Sequence, residues 1–270
     1  YKDIDVKYQY YMHGPIAQSI FGMENIQSFD LAYTINSWLK NVNHNISQES
    51  NCLPDVLDYS LDYFQGDYKG IADPVTASFS GAQLYSGNIS GIKIFNRGLD
   101  TDIRTHQYKY DQLNRLVQSR TNNLDAYRMD LTYDKNGNIQ TLDRYDGSSS
   151  RFDQLTYRYD TRKKNRLLFI EDDARPMHPE PMKDLTNQSP NNYQYDAKGR
   201  LIRDASEGNM SLQWDATDKL RQMVNEAGTN NIFYDAMGRR AIKKIRPQDG
   251  HIESEFTVRD FVGNIFAEYS

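Results

Sequence analysis

Cysteine is nearly missing from this chain: its 270 residues hold one, Cys52. A single thiol excludes an internal disulfide framework. The five histidines (His13, His44, His106, His178, His251) lie far apart, and none has the His-x₃-His or Cys-His spacing of a zinc site. Apolar runs of about 18 residues are absent, so no membrane span is expected. Basic stripes are absent as well. The 32 Lys and Arg are interspersed with 37 Asp and Glu for a net charge of −5, which argues against nucleic acid as a partner. No Gly-x-Ser-x-Gly elbow or phosphate-cradling glycine loop occurs, and Cys52 beside Leu53-Pro54 reads as incidental rather than nucleophilic. The chain is therefore expected to be neither an enzyme nor a cofactor carrier. No helical period and no secretory leader pattern is visible. Opening on Tyr1, the chain reads as a piece of something longer.

Aliphatic residues are also sparse: 38% of the chain is apolar and mean hydropathy is −0.82. Aromatics fill part of the gap, with 20 Tyr, 11 Phe and 2 Trp. Tyrosines in partly wet strands favour extended sheet held by cross-strand pairs over a thick dry core.

The tyrosines recur in phase. Tyr195-Asp196-Ala197-Lys198-Gly199-Arg200-Leu201 returns as Tyr110-Asp111 through Leu116, Tyr133-Asp134 with Gly137, Trp214-Asp215 through Leu220, and Tyr234-Asp235 with Gly238. The unit at Tyr159-Asp160 has two extra residues before Leu167 and no Gly, and Arg259 to Ile265, with Gly263, puts Arg in the aromatic place. Tyr10 to Ile16 and Tyr33 to Leu39 are weaker copies, the second with Ser37 where Gly is expected. Spacings of 23, 26, 36, 19 and 20 residues separate successive aromatics from Tyr110 to Tyr234. A period near 20–25 residues holds one hairpin of two strands and two turns. The secondary turns fall at Asp146-Gly147, Glu207-Gly208-Asn209, Ala227-Gly228 and Asp249-Gly250. The expected organisation is repeats over 1–40, a non-repeat insertion of short strands and loops over 41–106, and repeats over 107–270 with a Pro-rich loop at 174–192.

Two chemistries compete for the repeated aspartates Asp111, Asp134, Asp160, Asp196, Asp215 and Asp235. They are acids or metal ligands, or they cap the amides of a turn whose Gly takes positive φ. Their fixed place before the turn favours capping. Asp134 to Asn138 opens like a calcium loop, but its Gly is fourth rather than sixth and no Glu stands twelfth. In the insertion, Tyr59, Tyr63, Tyr68 and Tyr85 either form a binding face for glycan or protein, or pack the insertion onto the repeats.

At these residues the chain resembles the RHS/YD-repeat family, named for the Tyr-Asp dipeptide; the likeness covers about 1–40 and 107–270. Asn36-Ser37-Trp38-Leu39-Lys40 and Gly66-Asp67-Tyr68-Lys69 also resemble segments of Bacteroidetes RHS proteins. The resemblance implies an all-β fold of hairpins coiling into a spiralling sheet, part of a hollow shell like those of toxin complexes, polymorphic toxins and teneurins. It further implies a secreted or cell-surface protein whose partners are the rest of its own polypeptide, an encapsulated C-terminal cargo and secretion machinery. In toxin members a self-cleaving aspartyl site with Asp-Pro-x-Gly elements frees the cargo. Here only Asp73-Pro74 occurs, without the Gly, so protease and toxin are expected to lie outside these residues. The alternative is an adhesion or glycan-binding module using exposed aromatics.

Overall fold

The computed structural model describes residues 6–22, 27–43, 56–68, 82–96, 98, 103–122, 124–173, 185, 187–260 and 262–269. Every regular element among them is a β-strand, twenty in number, from Val6–Tyr10 to Ile265–Tyr269. The all-β hairpin architecture expected from the repeats is what the chain adopts. Order in space follows order in sequence: twelve strands run from Val6–Tyr10 to Leu167–Asp172, and eight from Tyr193–Tyr195 to Ile265–Tyr269. Each hairpin thus meets its chain neighbours, the arrangement of a repeat protein.

Alternation sets the faces. Met210, Leu212 and Trp214 are half-buried while Ser211 and Gln213 between them are exposed. In each repeat turn the aromatic pairs with the residue that opens the next strand: Tyr110 with Leu116, Tyr195 with Leu201, Trp214 with Leu220 and Tyr234 with Arg240. The register shifts by one residue just before that aromatic every time, a β-bulge that adds local twist to the strand pair.

Two compact units divide the chain: residues 1–132, 141–154 and 174–177, and residues 133–140, 155–173 and 178–270. The first buries Val42, Leu61 and Tyr63, and it buries Asn43 completely. Asn43 Oδ1 accepts from Asp30 N at 2.9 Å, and its Nδ2 donates to Leu57 O at 2.9 Å. In the second unit Leu155 and Ile170 are the buried apolar residues among those described. Cohesion therefore rests on strand pairing and polar links more than on a dry centre, as the low aliphatic content requires.

Within 41–106, Leu57–Asp62 and Gly91–Asn96 pair in register from Leu57↔Asn96 to Asp62↔Gly91. They are flanked in the same order by Leu39–Val42 and Arg104–Tyr110, so sheet continues through this span. His44, Cys52, Asp73, Pro74, His178 and most of the Pro-rich loop 174–192 lie outside the described residues.

Candidate functional site

The repeat turns carry most of the polar organisation. In Asp196–Arg200, Asp196 N donates to Arg200 O at 3.0 Å and Gly199 N to Asp196 O at 3.1 Å. Asp196 Oδ1 accepts from Arg200 N at 2.9 Å. Asp111, Asp134, Asp215, Asp235 and Asp260 repeat this cap, each accepting backbone amides two to four residues ahead. At Asp160 the two extra residues move the closing bond, Asp160 N to Arg166 O, to 2.8 Å across a longer turn. The chain must turn left-handed at one position, with φ of +89° at Gly137, +90° at Gly199 and +76° at Gly238. Ser37 (+62°), Asn114 (+60°) and Asp218 (+64°) fill that place elsewhere, and Thr34 Oγ1 stands in for the carboxylate by accepting from Trp38 N. The cap electrostatics follow. The Arg200 amide holds the Asp196 carboxyl below its usual range, the Arg115 side chain does so for Asp111, and the Asn138 side chain does so for Asp134. The Asp134 oxygens are taken up by Asn136 N, Asn138 N and Asn138 Nδ2, which is turn geometry rather than a calcium loop.

A ladder of ring groups ties each repeat to the one before. Tyr110 OH donates to Ile89 O, Tyr159 OH to Ile139 O, Tyr195 OH to Leu167 O, Trp214 Nε1 to Leu201 O and Tyr234 OH to Leu220 O, all at 2.7–2.9 Å. Every acceptor is the residue that follows a turn. Burial pushes the Tyr110, Tyr159 and Tyr195 phenols up, to about 12 for Tyr159.

The position before that acceptor carries a further link that the sequence reading passed over. Arg166, Arg200 and Lys219 each place a cation over the next repeat's ring, at 5.6 Å from Tyr195, 5.8 Å from Trp214 and 5.2 Å from Tyr234. Each also donates to a carbonyl in the next turn, Arg166 to Asp196 O, Arg200 to Asp215 O and Lys219 to Gly238 O. Aligning the repeats would have shown it, since Arg or Lys stands there in several of them. At two of the left-handed positions that are not Gly, the side chain adds a backward link. Asp218 Oδ1 receives Lys198 Nζ at 2.8 Å and Arg200 at 2.6 Å, and Asn114 Oδ1 receives Asn88 Nδ2 at 3.1 Å. At Gly238 no such side chain exists and the place is filled by Lys219 Nζ; an open groove of about 600 Å³ lies beside this turn, lined by Thr217, Arg221, Phe233 and Met237 among others.

The four insertion tyrosines do not share one face. Tyr63 is buried, and its hydroxyl donates to Leu39 O at 2.8 Å, so it is a rung of the ladder. The left-handed glycine of that turn is Gly87 (+90°), 24 positions later instead of four, with Leu84 N donating to Tyr63 O at 2.9 Å. The repeat thus persists inside 41–106 as a turn split by an excursion. A buried ion-pair group anchors the start of that excursion: Lys40 Nζ lies 2.8 Å from Asp62 and 2.9 Å from Asp67, while Asp67 Oδ2 accepts from Tyr63 N. Tyr59 is half-buried, and Tyr68 and Tyr85 are exposed, Tyr85 by 69%. Tyr85 packs against Phe64, which the sequence reading did not single out, with ring centroids 4.7 Å apart. Among the described residues His13 stacks on Tyr11, His106 Nδ1 meets Thr121 Oγ1 at 3.2 Å, and no group of three or more metal-binding side chains occurs.

The Teneurin YD-shell family description matches residues 85–253, more than half of the chain. No curated protein matches it. Among solved structures, TcdB2-TccC3-TEV is similar over 96% of this chain and 14% of its own, with 12% identity and a TM-score of 0.54. TcdB2-TccC3 without its hypervariable C-terminal region gives the same coverage and identity with a TM-score of 0.53. This chain thus spans about a seventh of those proteins, and at that identity the likeness shows the fold. By the span of that match and the stapled Tyr-Asp turns that fill it, the chain belongs to the Teneurin YD-shell family.

Proposed function

We propose that this chain is a stretch of shell wall enclosing a polypeptide cargo carried elsewhere in the same protein. The observation that carries this reading is the succession of hairpins in chain order, repeatedly linked by a ring hydrogen bond and a cation to the next. Such a wall works by geometry: continuous pairing leaves few free strand edges. The separable hypervariable C-terminal region of TcdB2-TccC3 supports a cargo at the C-terminal side. On this reading the chain performs no chemistry of its own, requires no cofactor, and acts outside the cell or on its surface after export by a secretion machinery. The test is mass spectrometry of the full-length native polypeptide. A discrete C-terminal piece that stays bound to the repeats is expected. A single uncleaved chain with nothing retained would overturn the container reading.

A further inference from the structure

We propose that Phe64 and Tyr85 form a platform that binds a neutral saccharide ring, a property separate from any cargo inside a shell. The starting point is a division of labour in the split turn. Its structural aromatic is Tyr63, buried and hydrogen-bonded to Leu39 O. Tyr85 serves no such purpose: it is 69% exposed, and its hydroxyl has no partner among the described residues. It is nevertheless held, because its ring lies 4.7 Å from the half-buried Phe64 ring at an interplanar angle of 33°. A pre-positioned, exposed aromatic pair offers apolar area with little ordering cost.

The surrounding groups select the ligand class. Among the described residues the charges of this part of the chain are paired: Lys40 and Lys93 with Asp62, Lys40 also with Asp67, and Asp111 with Arg115. Among the described residues, the groups that flank the pair in the chain and through hydrogen bonds are amide and hydroxyl. Gln83 Oε1 accepts from Gln65 N at 2.8 Å, which fixes the Gln83 amide while its NH₂ has no partner among the described residues. Asn114 Oδ1 accepts from Asn88 Nδ2 at 3.1 Å, with Ser86 Oγ at 3.5 Å, and the Asn114 NH₂ is likewise without a partner among the described residues. Apolar ring faces flanked by uncharged donors match a pyranose, which has a C–H face and a rim of hydroxyls. An anionic ligand would find no unpaired cation among these groups, and an apolar one would leave the amides unsatisfied.

The experiment is saturation-transfer NMR and calorimetry of the full chain. The panel comprises neutral glucose-, galactose- and N-acetylglucosamine-based oligosaccharides alongside sialylated and sulfated ones. Binding of at least one neutral sugar is expected, with saturation on its C–H face. Tyr85→Ala and Phe64→Leu should each weaken it about tenfold or more, while Tyr269→Ala, an exposed tyrosine in another part of the chain, should leave it unchanged. Unaltered circular dichroism and melting of Tyr85→Ala would separate a lost contact from a lost fold. The proposal is overturned if no neutral sugar binds at millimolar concentration, if only acidic sugars bind, or if Tyr85→Ala binds as the unsubstituted chain does. None of these outcomes bears on whether a cargo is enclosed.

Discussion

The Tyr195 hydroxyl donates to the Leu167 carbonyl at 2.9 Å across 28 residues of sequence, so the aromatic of one repeat satisfies the strand start of the repeat before it. Removing only the hydroxyl, in Tyr195→Phe, leaves that part-buried carbonyl without its partner and should cost about 1 kcal/mol. Tyr195→Ala, which also removes the ring under Arg166, should cost roughly 3 kcal/mol. Denaturant titration of the two variants checks the order: equal losses would place the effect in the hydrogen bond alone, and no loss in Tyr195→Phe would place it in packing alone.

The same ladder predicts an alkaline transition. Burial raises the Tyr110, Tyr159 and Tyr195 phenols above the ordinary value of about 10. A proton held more tightly in the folded state stabilises it fully below pH of about 10. That contribution is lost as the pH climbs through the folded value, about 12 for Tyr159. Melting temperature should be level up to about pH 9 and fall beyond 10, in step with phenolate absorbance.

At acid pH the turn aspartates act with the opposite sign. Asp111, Asp134, Asp160, Asp196, Asp215, Asp235 and Asp260 are all held below their ordinary value by hydrogen bonds to the charged form. Their support is complete above about pH 4 and disappears as the pH falls through the lowered values. Asp196→Asn should flatten part of that acid loss in a melting series from neutral to acid pH. An unchanged profile would count against the cap.

Position 199 separates backbone strain from steric fit. A Cβ there meets nothing nearer than Arg166 at 3.8 Å, yet φ is +90°. Gly199→Val should therefore destabilise by about 1–3 kcal/mol through strain. Gly199→Asn should cost clearly less, since Asn114 already sits at +60° in the matching place. Thermal melts of both variants decide it, and equal effects would refute the φ argument.

Arg200 tests the forward link. Arg200→Met keeps apolar length but loses the donation to Asp215 O, the pair with Asp218 and the charge over Trp214. Amide hydrogen exchange should quicken in the Asp215–Lys219 turn and stay slow in the Leu220–Asn225 strand. Unchanged exchange in the Asp215–Lys219 turn would mean that it stands without the link.

Repetition made the succession of hairpins legible in the sequence, because a hairpin that bulges at the same aromatic has one local solution. Tyr110, Tyr133, Tyr159, Tyr195, Trp214 and Tyr234, each followed by Asp, show the phase directly. Two things stayed hidden. The split turn was invisible because Tyr63 and Gly87 stand 24 positions apart, beyond any seven-residue pattern. The cations at Arg166, Arg200 and Lys219 looked like ordinary polar surface, because their partners are rings 14 to 29 residues ahead.

The sequence by itself determined the hairpins, their phase and the capped left-handed turns, since these depend on residues within one repeat. Only the tertiary structure decided that Tyr63 is buried and bonded to Leu39 O while Tyr85 faces solvent against Phe64. Both are tyrosines in the same stretch with the same propensities. Their roles diverge because burial and partners depend on where the chain returns after the excursion, and that is a long-range property no local pattern encodes.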